Sequence, residues 1–176
     1  PNDTRIAFMD NRSRWENGDY VRDPSVIFLT SSDSISGFQI SPIDSKISFF
    51  APQWISNNHV VFTGRDTEDR IGVYGDDSDG SNFTDYTPWR NINKSALAPS
   101  NRWLAFLESN QLFLLEFETR EIYQIASFQP LSDGWGYSIL WSPDADYLFI
   151  DIKGSQWMVS LYSGEVIEYN PELQLF

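Results

Sequence analysis

LAPSNRWLAF (Leu97 to Phe106) and WSPDADYLFI (Trp141 to Ile150) follow one plan: a large apolar residue, a small one, Pro, a polar turn, then an apolar strand. The two stretches stand 44 residues apart. WISNNHVVF (Trp54 to Phe62) repeats the plan one residue shorter and without the Pro, and PNDTRIAF (Pro1 to Phe8) reads as its second half, with Pro1 in the register of Pro99 and Pro143. Each copy continues with a polar loop, a strand, an acidic or glycine turn and a last strand, as in GRDTEDRIGVYGDDSDGSNFTDYT (Gly64 to Thr87), ESNQLFLLEFETREIYQIA (Glu108 to Ala126) and KGSQWMVSLYSGEVIEY (Lys153 to Tyr169). Four strands in about 44 residues is the dimension of a propeller blade. The expected fold is therefore all-β: a β-propeller of about four four-stranded antiparallel blades, with repeats near residues 1–44, 45–88, 89–132 and 133–176.

The residue types agree with the period. The apolar runs, from Ile6 to Met9 through Glu165 to Tyr169, are short, rich in β-branched and aromatic side chains, and split by Asn, Asp, Gly, Ser and Pro, which is strand and turn chemistry. No window keeps a helical apolar stripe for three turns. With 176 residues and 41% hydrophobic content, the chain has material for one domain with a sizeable core. Lys and Arg number 12 against 25 Asp and Glu, a formal charge of −13. That balance repels phosphate backbones and anionic lipid, so nucleic-acid binding is not expected. The absence of Cys excludes thiol chemistry and zinc ribbons, and no apolar run reaches the length of a membrane-spanning helix.

The phase of the repeat predicts an assembly problem. The chain opens at Pro1 on the second strand of a copy, without an initiator Met or leader, and reads as a processed or excised piece. NPELQLF (Asn170 to Phe176) follows a completed fourth strand, where it would supply an innermost one. Two architectures fit: a small ring closed by that borrowing, or an arc of a larger propeller completed by a second copy or by the rest of a longer parent chain.

PQWISNNHVVFTGRDTEDRIGVYGDDSDGSN (Pro52 to Asn82) and ILWSPDADYLFIDIKGSQWMVSLYSGEV (Ile139 to Val166) resemble the TolB-type β-propeller repeat. That repeat runs Trp-Ser-Pro-Asp-Gly, a Phe-ending strand, a loop, an Ile-Tyr-like strand and an Asp-Gly or Thr-Gly turn. Trp141 to Asp144 keep its signature tetrapeptide. The resemblance implies a periplasmic or extracellular location. It also implies either a noncatalytic protein-interaction scaffold or the propeller that covers the site of a prolyl-oligopeptidase-like serine peptidase, whose catalytic domain would lie outside this chain.

The residues themselves argue against a self-contained enzyme. His59 is the single histidine and falls in the SNNH turn, where it reads as a solvated loop residue with no second His to share a metal or complete a relay. Asp77 and Asp79 precede Gly80 in an oxygen-rich run, but the distal Glu of a calcium loop is missing and Asp-Gly stands where the blade needs a hairpin turn. A carbohydrate-active site built on two of Asp66, Glu68, Asp69, Asp133 and Asp151 is a third possibility, from carboxylates near predicted loops. No metal or cofactor is expected.

The seven tryptophans divide into two groups. Trp54, Trp141 and Trp157 recur on repeat strands and read as core, with Trp103 half-buried. Trp15, Trp89 and Trp135, with Tyr137, fall where the repeat asks only for polar loops. Loops joining strands two and three emerge on the same face of a blade as those leading to the next blade, so these aromatics are expected on one rim with Arg14, Arg65 and Arg90. Trp, Tyr and Arg are the residue types of binding hot spots. The expected site is a surface for a protein or peptide formed by Trp15, Arg65, Trp89, Arg90, Trp135 and Tyr137.

Overall fold

A computed structural model of the chain describes residues 5–11, 13–31, 37–42, 46–87, 90–129 and 136–169. Among these there is no helix. The strands are β1 (Arg5–Asp10), β2 (Ser13–Glu16), β3 (Asp19–Arg22), β4 (Val26–Ser31), β5 (Gly37–Gln39), β6 (Ser48–Trp54), β7 (His59–Arg65), β8 (Ile71–Asp77) and β9 (Thr84–Asp85), followed by β10 (Ile92–Leu97), β11 (Trp103–Glu108), β12 (Gln111–Glu116), β13 (Ile122–Ser127), β14 (Tyr137–Trp141), β15 (Tyr147–Ile152), β16 (Ser155–Ser160) and β17 (Val166–Tyr169). They form antiparallel meanders β6-β7-β8-β9, β10-β11-β12-β13 and β14-β15-β16-β17, each a four-stranded propeller blade. The first sheet has three strands, β1-β4-β5, and the hairpin β2-β3 stands apart from it.

The chain divides into two compact units, residues 1–90 and 91–176. Because strand side chains alternate, each sheet has a leading face and a trailing face. In the first unit Ile27, Leu29 and Ile40 on the leading face of the first sheet pack with Phe49, Val60, Phe62 and Tyr74 of the second. Phe49 meets Phe62 and Tyr74 edge-on at 5.4 and 5.5 Å. Gly64 leaves room for this cluster: a Cβ there would approach Ile47 and Tyr74 to 2.7 and 2.8 Å. In the second unit Ala105, Leu107, Leu112 and Leu114 of the third sheet pack with Ile139, Leu148, Ile150, Ile152, Trp157 and Val159 of the fourth. Trp141 ties the two sheets together, its indole Nε1 donating to the Ala96 carbonyl at 2.9 Å.

Local chemistry sets the turns. In the Trp141 to Asp144 signature, the Ser142 hydroxyl accepts from the Tyr147 amide at 2.9 Å and donates to Asp144 at 2.5 Å. Ala145, where the repeat has Gly, takes φ 63°, and Asn101 in the preceding copy takes φ 58°. In the third sheet Arg102 grips the buried Glu116, which also accepts from Thr119 at 3.0 Å. The Arg102 hydrogen bond, against the cost of burial, holds that carboxyl below its ordinary range.

Three expectations need correction. The segment between β1 and β4 is a hairpin, not an irregular loop: Glu16 pairs with Asp19 across Asn17 (φ 53°) and Gly18 (φ 90°), the two-residue turn with both central residues at positive φ that Asn-Gly favours. Tyr137 opens strand β14, pairs with Ile152 and packs against the core of the second unit, because the β-branched and aromatic run extends to it. His59 opens strand β7 and is half-buried rather than solvated, since its ring lies over a backbone that carries Gly75. The segment Asn170 to Phe176 lies outside the described residues.

Candidate functional site

In the first unit the hairpin β2-β3 grows from the same end of its sheet that carries Arg65 and Arg90 of the second. Ser25, just beyond the hairpin, donates its hydroxyl to Asn11 at 2.7 Å and its carbonyl accepts the Phe49 amide at 2.8 Å. Phe49 adjoins Ser48, which pairs with Arg65. Arg65 pairs in turn with Ile71, and Ile71 bridges Arg90. Register alone therefore brings the hairpin base and both arginines to one end of the unit.

Trp15 projects from β2 and is 74% exposed. Its neighbour Arg14 is paired with Asp23 and Glu16, which fasten the hairpin along its length and raise the guanidinium pKa further above its ordinary value. Arg65 is half-exposed, stands over the Phe50 ring at 5.7 Å and reaches Asp69 at 3.9 Å. Tyr137, in the other unit, is half-buried and packs against that unit's core. Trp89 and Trp135 lie outside the described residues.

The candidate carboxylates Asp66, in this unit, and Asp151, in the other, are committed to turns. Asp66 accepts from the Glu68 and Arg70 amides at 2.8 and 3.0 Å and from the Arg70 guanidinium at 2.8 Å. Burial opposes its charge, but the Arg70 and Glu68 hydrogen bonds outweigh it and hold the carboxyl below its ordinary range. Asp151 accepts from the Gly154 amide at 3.0 Å and the Gln156 amide group at 3.3 Å. Asp133 lies outside the described residues.

At the other end of the second sheet, the GDDSDGSN run is a braced turn. Asp76, 1% exposed, accepts from the Asp77 and Asn82 amides at 2.8 and 2.9 Å. Burial pushes its carboxyl above the ordinary range, with the two amides pulling the other way. Asp79 accepts from the Ser81 amide at 3.0 Å, and the Gly80 amide closes the turn on Asp77 at 2.8 Å. Asp77 contacts His59 Nδ1 at 2.7 Å, and His59 Nε2 meets the Tyr86 hydroxyl at 2.8 Å. Both ring nitrogens are thus occupied. Among the described residues no group of three His, Asp or Glu side chains is placed to hold a metal. Sequence reading missed this cluster because Asp77, His59 and Tyr86 converge only through strand pairing.

It also missed a groove of about 680 Å³ in the second unit, where Trp103, Tyr123, Ile125 and Leu161 line the apolar side and Arg102 stands at the edge. The Arg102 guanidinium stacks over Trp103 at 5.4 Å, and Trp103 meets Tyr123 edge-on at 6.0 Å.

No family model and no curated protein sequence matches the chain. Solved structures do. TolB from Acinetobacter baumannii superposes with a TM-score of 0.62 at 17% identity, over 96% of this chain and 42% of that one. The acylaminoacyl peptidase of Pyrococcus horikoshii gives 0.63 at 11% identity, over 96% of this chain and 31% of that one. Oligogalacturonate lyase from Vibrio parahaemolyticus gives 0.57 at 13%, over 96% and 48%. The chain thus spans less than half the length of each of these three proteins. Likeness across nearly the whole chain, to proteins of different activities and with so little sequence in common, is a likeness of fold. The four blade sheets of this chain have the TolB-like β-propeller fold.

Proposed function

We propose that the chain is a noncatalytic β-propeller scaffold that engages a protein or peptide through the end of its first unit bearing Trp15, Arg65 and Arg90. The observation that carries this reading is Trp15. A large aromatic held 74% exposed on a hairpin set by an Asn-Gly turn and braced by Arg14 is an anchor already fixed for a partner, which lowers the ordering cost of binding. The nearby arginines donate to carboxylates or backbone carbonyls of the partner in a chain that is otherwise acidic. The TolB likeness supports a periplasmic or extracellular location for such a scaffold. No helix among the described residues is long and apolar enough to cross a membrane.

A second reading draws on the likeness to the Pyrococcus peptidase: the chain as the noncatalytic propeller of a longer serine peptidase. A peptidase domain encoded in the same gene would favour it over the scaffold.

The scaffold reading is tested by selecting displayed peptides on the folded wild-type chain and measuring their affinity for Trp15→Ala and Arg65→Ala. Loss of an anchor costs about 2 kcal/mol, roughly 30-fold in Kd, with the melting temperature unchanged. Peptides that bind Trp15→Ala as tightly as wild type would refute this surface.

A further inference from the structure

In the second unit Arg102 stands where the repeat does not ask for it: its counterparts, counted from the strands that follow, are Asn58 and Asp146. Its guanidinium is fixed from two sides. Nε, at 2.6 Å, and Nη2 donate to one oxygen of the buried Glu116, and the group lies over the Trp103 ring at 5.4 Å. Nη1 has no partner among the described residues, so a held pair of N–H donors stands at the edge of the 680 Å³ groove.

The groove is apolar in its depth. Leu114, 6% exposed, and Ile125 form its floor on the third sheet, with the Trp103 and Tyr123 rings above them. The facing wall is Leu161 and the turns of the fourth sheet at Ala145 and Gly164, and the Leu161 amide ties those turns together by donating to the Asp146 carbonyl at 2.9 Å. Apolar and aromatic walls with a few fixed polar groups, in a volume of this size, are the anatomy of a ligand site.

We propose that this groove binds an extended peptide segment carrying one large apolar side chain between basic residues. The apolar side chain enters between Tyr123, Ile125 and Leu161, and the peptide carbonyl beside it accepts from Arg102 Nη1. A neutral carbonyl suits this donor better than a carboxylate, because Glu116 already balances the guanidinium and would repel a second negative charge. Two further carboxylates stand exposed at the margin: Glu121 accepts from the Tyr123 hydroxyl, and Asp146 adjoins Ala145. They favour Lys or Arg on either side of the apolar residue, since complementary charge at a rim steers and orders a partner. The groove lies wholly within the second unit and does not depend on the Trp15 surface.

The probe is a capped pentapeptide, Lys-Lys-Leu-Lys-Lys, titrated into the full chain and followed by amide chemical shifts. The shifts should centre on residues 102–103, 123–125 and 161. Binding should weaken roughly tenfold or more when the central Leu of the peptide becomes Ser, or when Tyr123→Ala removes one wall. Glu in place of the peptide's Lys should also weaken binding, by a factor that shrinks as salt rises. Tyr123 is 40% exposed on the outer strand of its sheet, so Tyr123→Ala should melt as wild type does; if it does not fold, the shift map and the Ser peptide decide. No binding at millimolar peptide, shifts centred elsewhere, a Ser or Glu peptide that binds as tightly as the first, or affinity lost on Trp15→Ala and kept on Tyr123→Ala would overturn the proposal.

Discussion

Asp76 illustrates how much a single side chain is asked to do. Its carboxylate is buried and bound by two amides, yet burial raises its pKa above the ordinary value of about 3.9. A carboxyl raised in the folded state binds its proton more tightly there than in the unfolded chain. Its contribution to stability is fully present below the unfolded value and is lost as pH rises through the folded one. Asp76→Asn retains a carbonyl oxygen for the Asp77 and Asn82 amides and removes the charge. The melting temperature of Asp76→Asn should therefore gain on that of wild type as pH rises from about 4 toward neutrality. A difference between the two that does not vary with pH would contradict the burial argument.

At the scale of the element, the β2-β3 hairpin depends on its turn. Gly18 sits at φ 90° with open space where a Cβ would project. Gly18→Ala therefore tests backbone strain without a steric clash. Strain of about 1–2 kcal/mol for an L residue in this region, less the roughly 0.4–1 kcal/mol gained by stiffening the unfolded chain, leaves a net loss on the order of 1 kcal/mol. Because Trp15 and its neighbours are exposed and outside the core sheets, the loss should appear as faster amide exchange in residues 13–22, with the global melt almost unmoved. Exchange as slow as wild type would mean that the hairpin is held by contacts other than its turn.

At the scale of the whole molecule, stability is expected to follow burial between sheets rather than residue type. Trp157 is 6% exposed, with its ring 4.9 Å from Phe128, and its truncation to Ala should cost about 3–5 kcal/mol. Trp141 is half-buried and contributes one hydrogen bond to the neighbouring sheet, so Trp141→Ala should cost less than the lower end of that range. Trp15→Ala should leave stability within about 0.5 kcal/mol of wild type. Urea unfolding of the three variants gives the order, and Trp15→Ala proving more harmful than Trp141→Ala would reverse the assignment of surface and core.

By itself the sequence determined the all-β class, the 44-residue blade and the core tryptophan Trp157, because alternation along a strand and the spacing of Pro, Asp and Gly turns are local properties that repeat. It also holds the Asn17-Gly18 turn signal, whereas the pairing of the flanking residues into a hairpin needs the structure. What only the tertiary structure decided depends on registers between strands that are distant in the chain. Asp77, His59 and Tyr86 meet because β7 pairs with β8 and the chain returns through β9. Arg65 and Arg90 share an end of the sheet because both pair about Ile71. Tyr137 is half-buried because its strand packs, with the rest of the fourth sheet, against the third. The same alternation that buries Ala105 leaves Phe149 exposed, because a repeat fixes which face a side chain occupies while only the presence of a neighbouring sheet decides whether that face meets water.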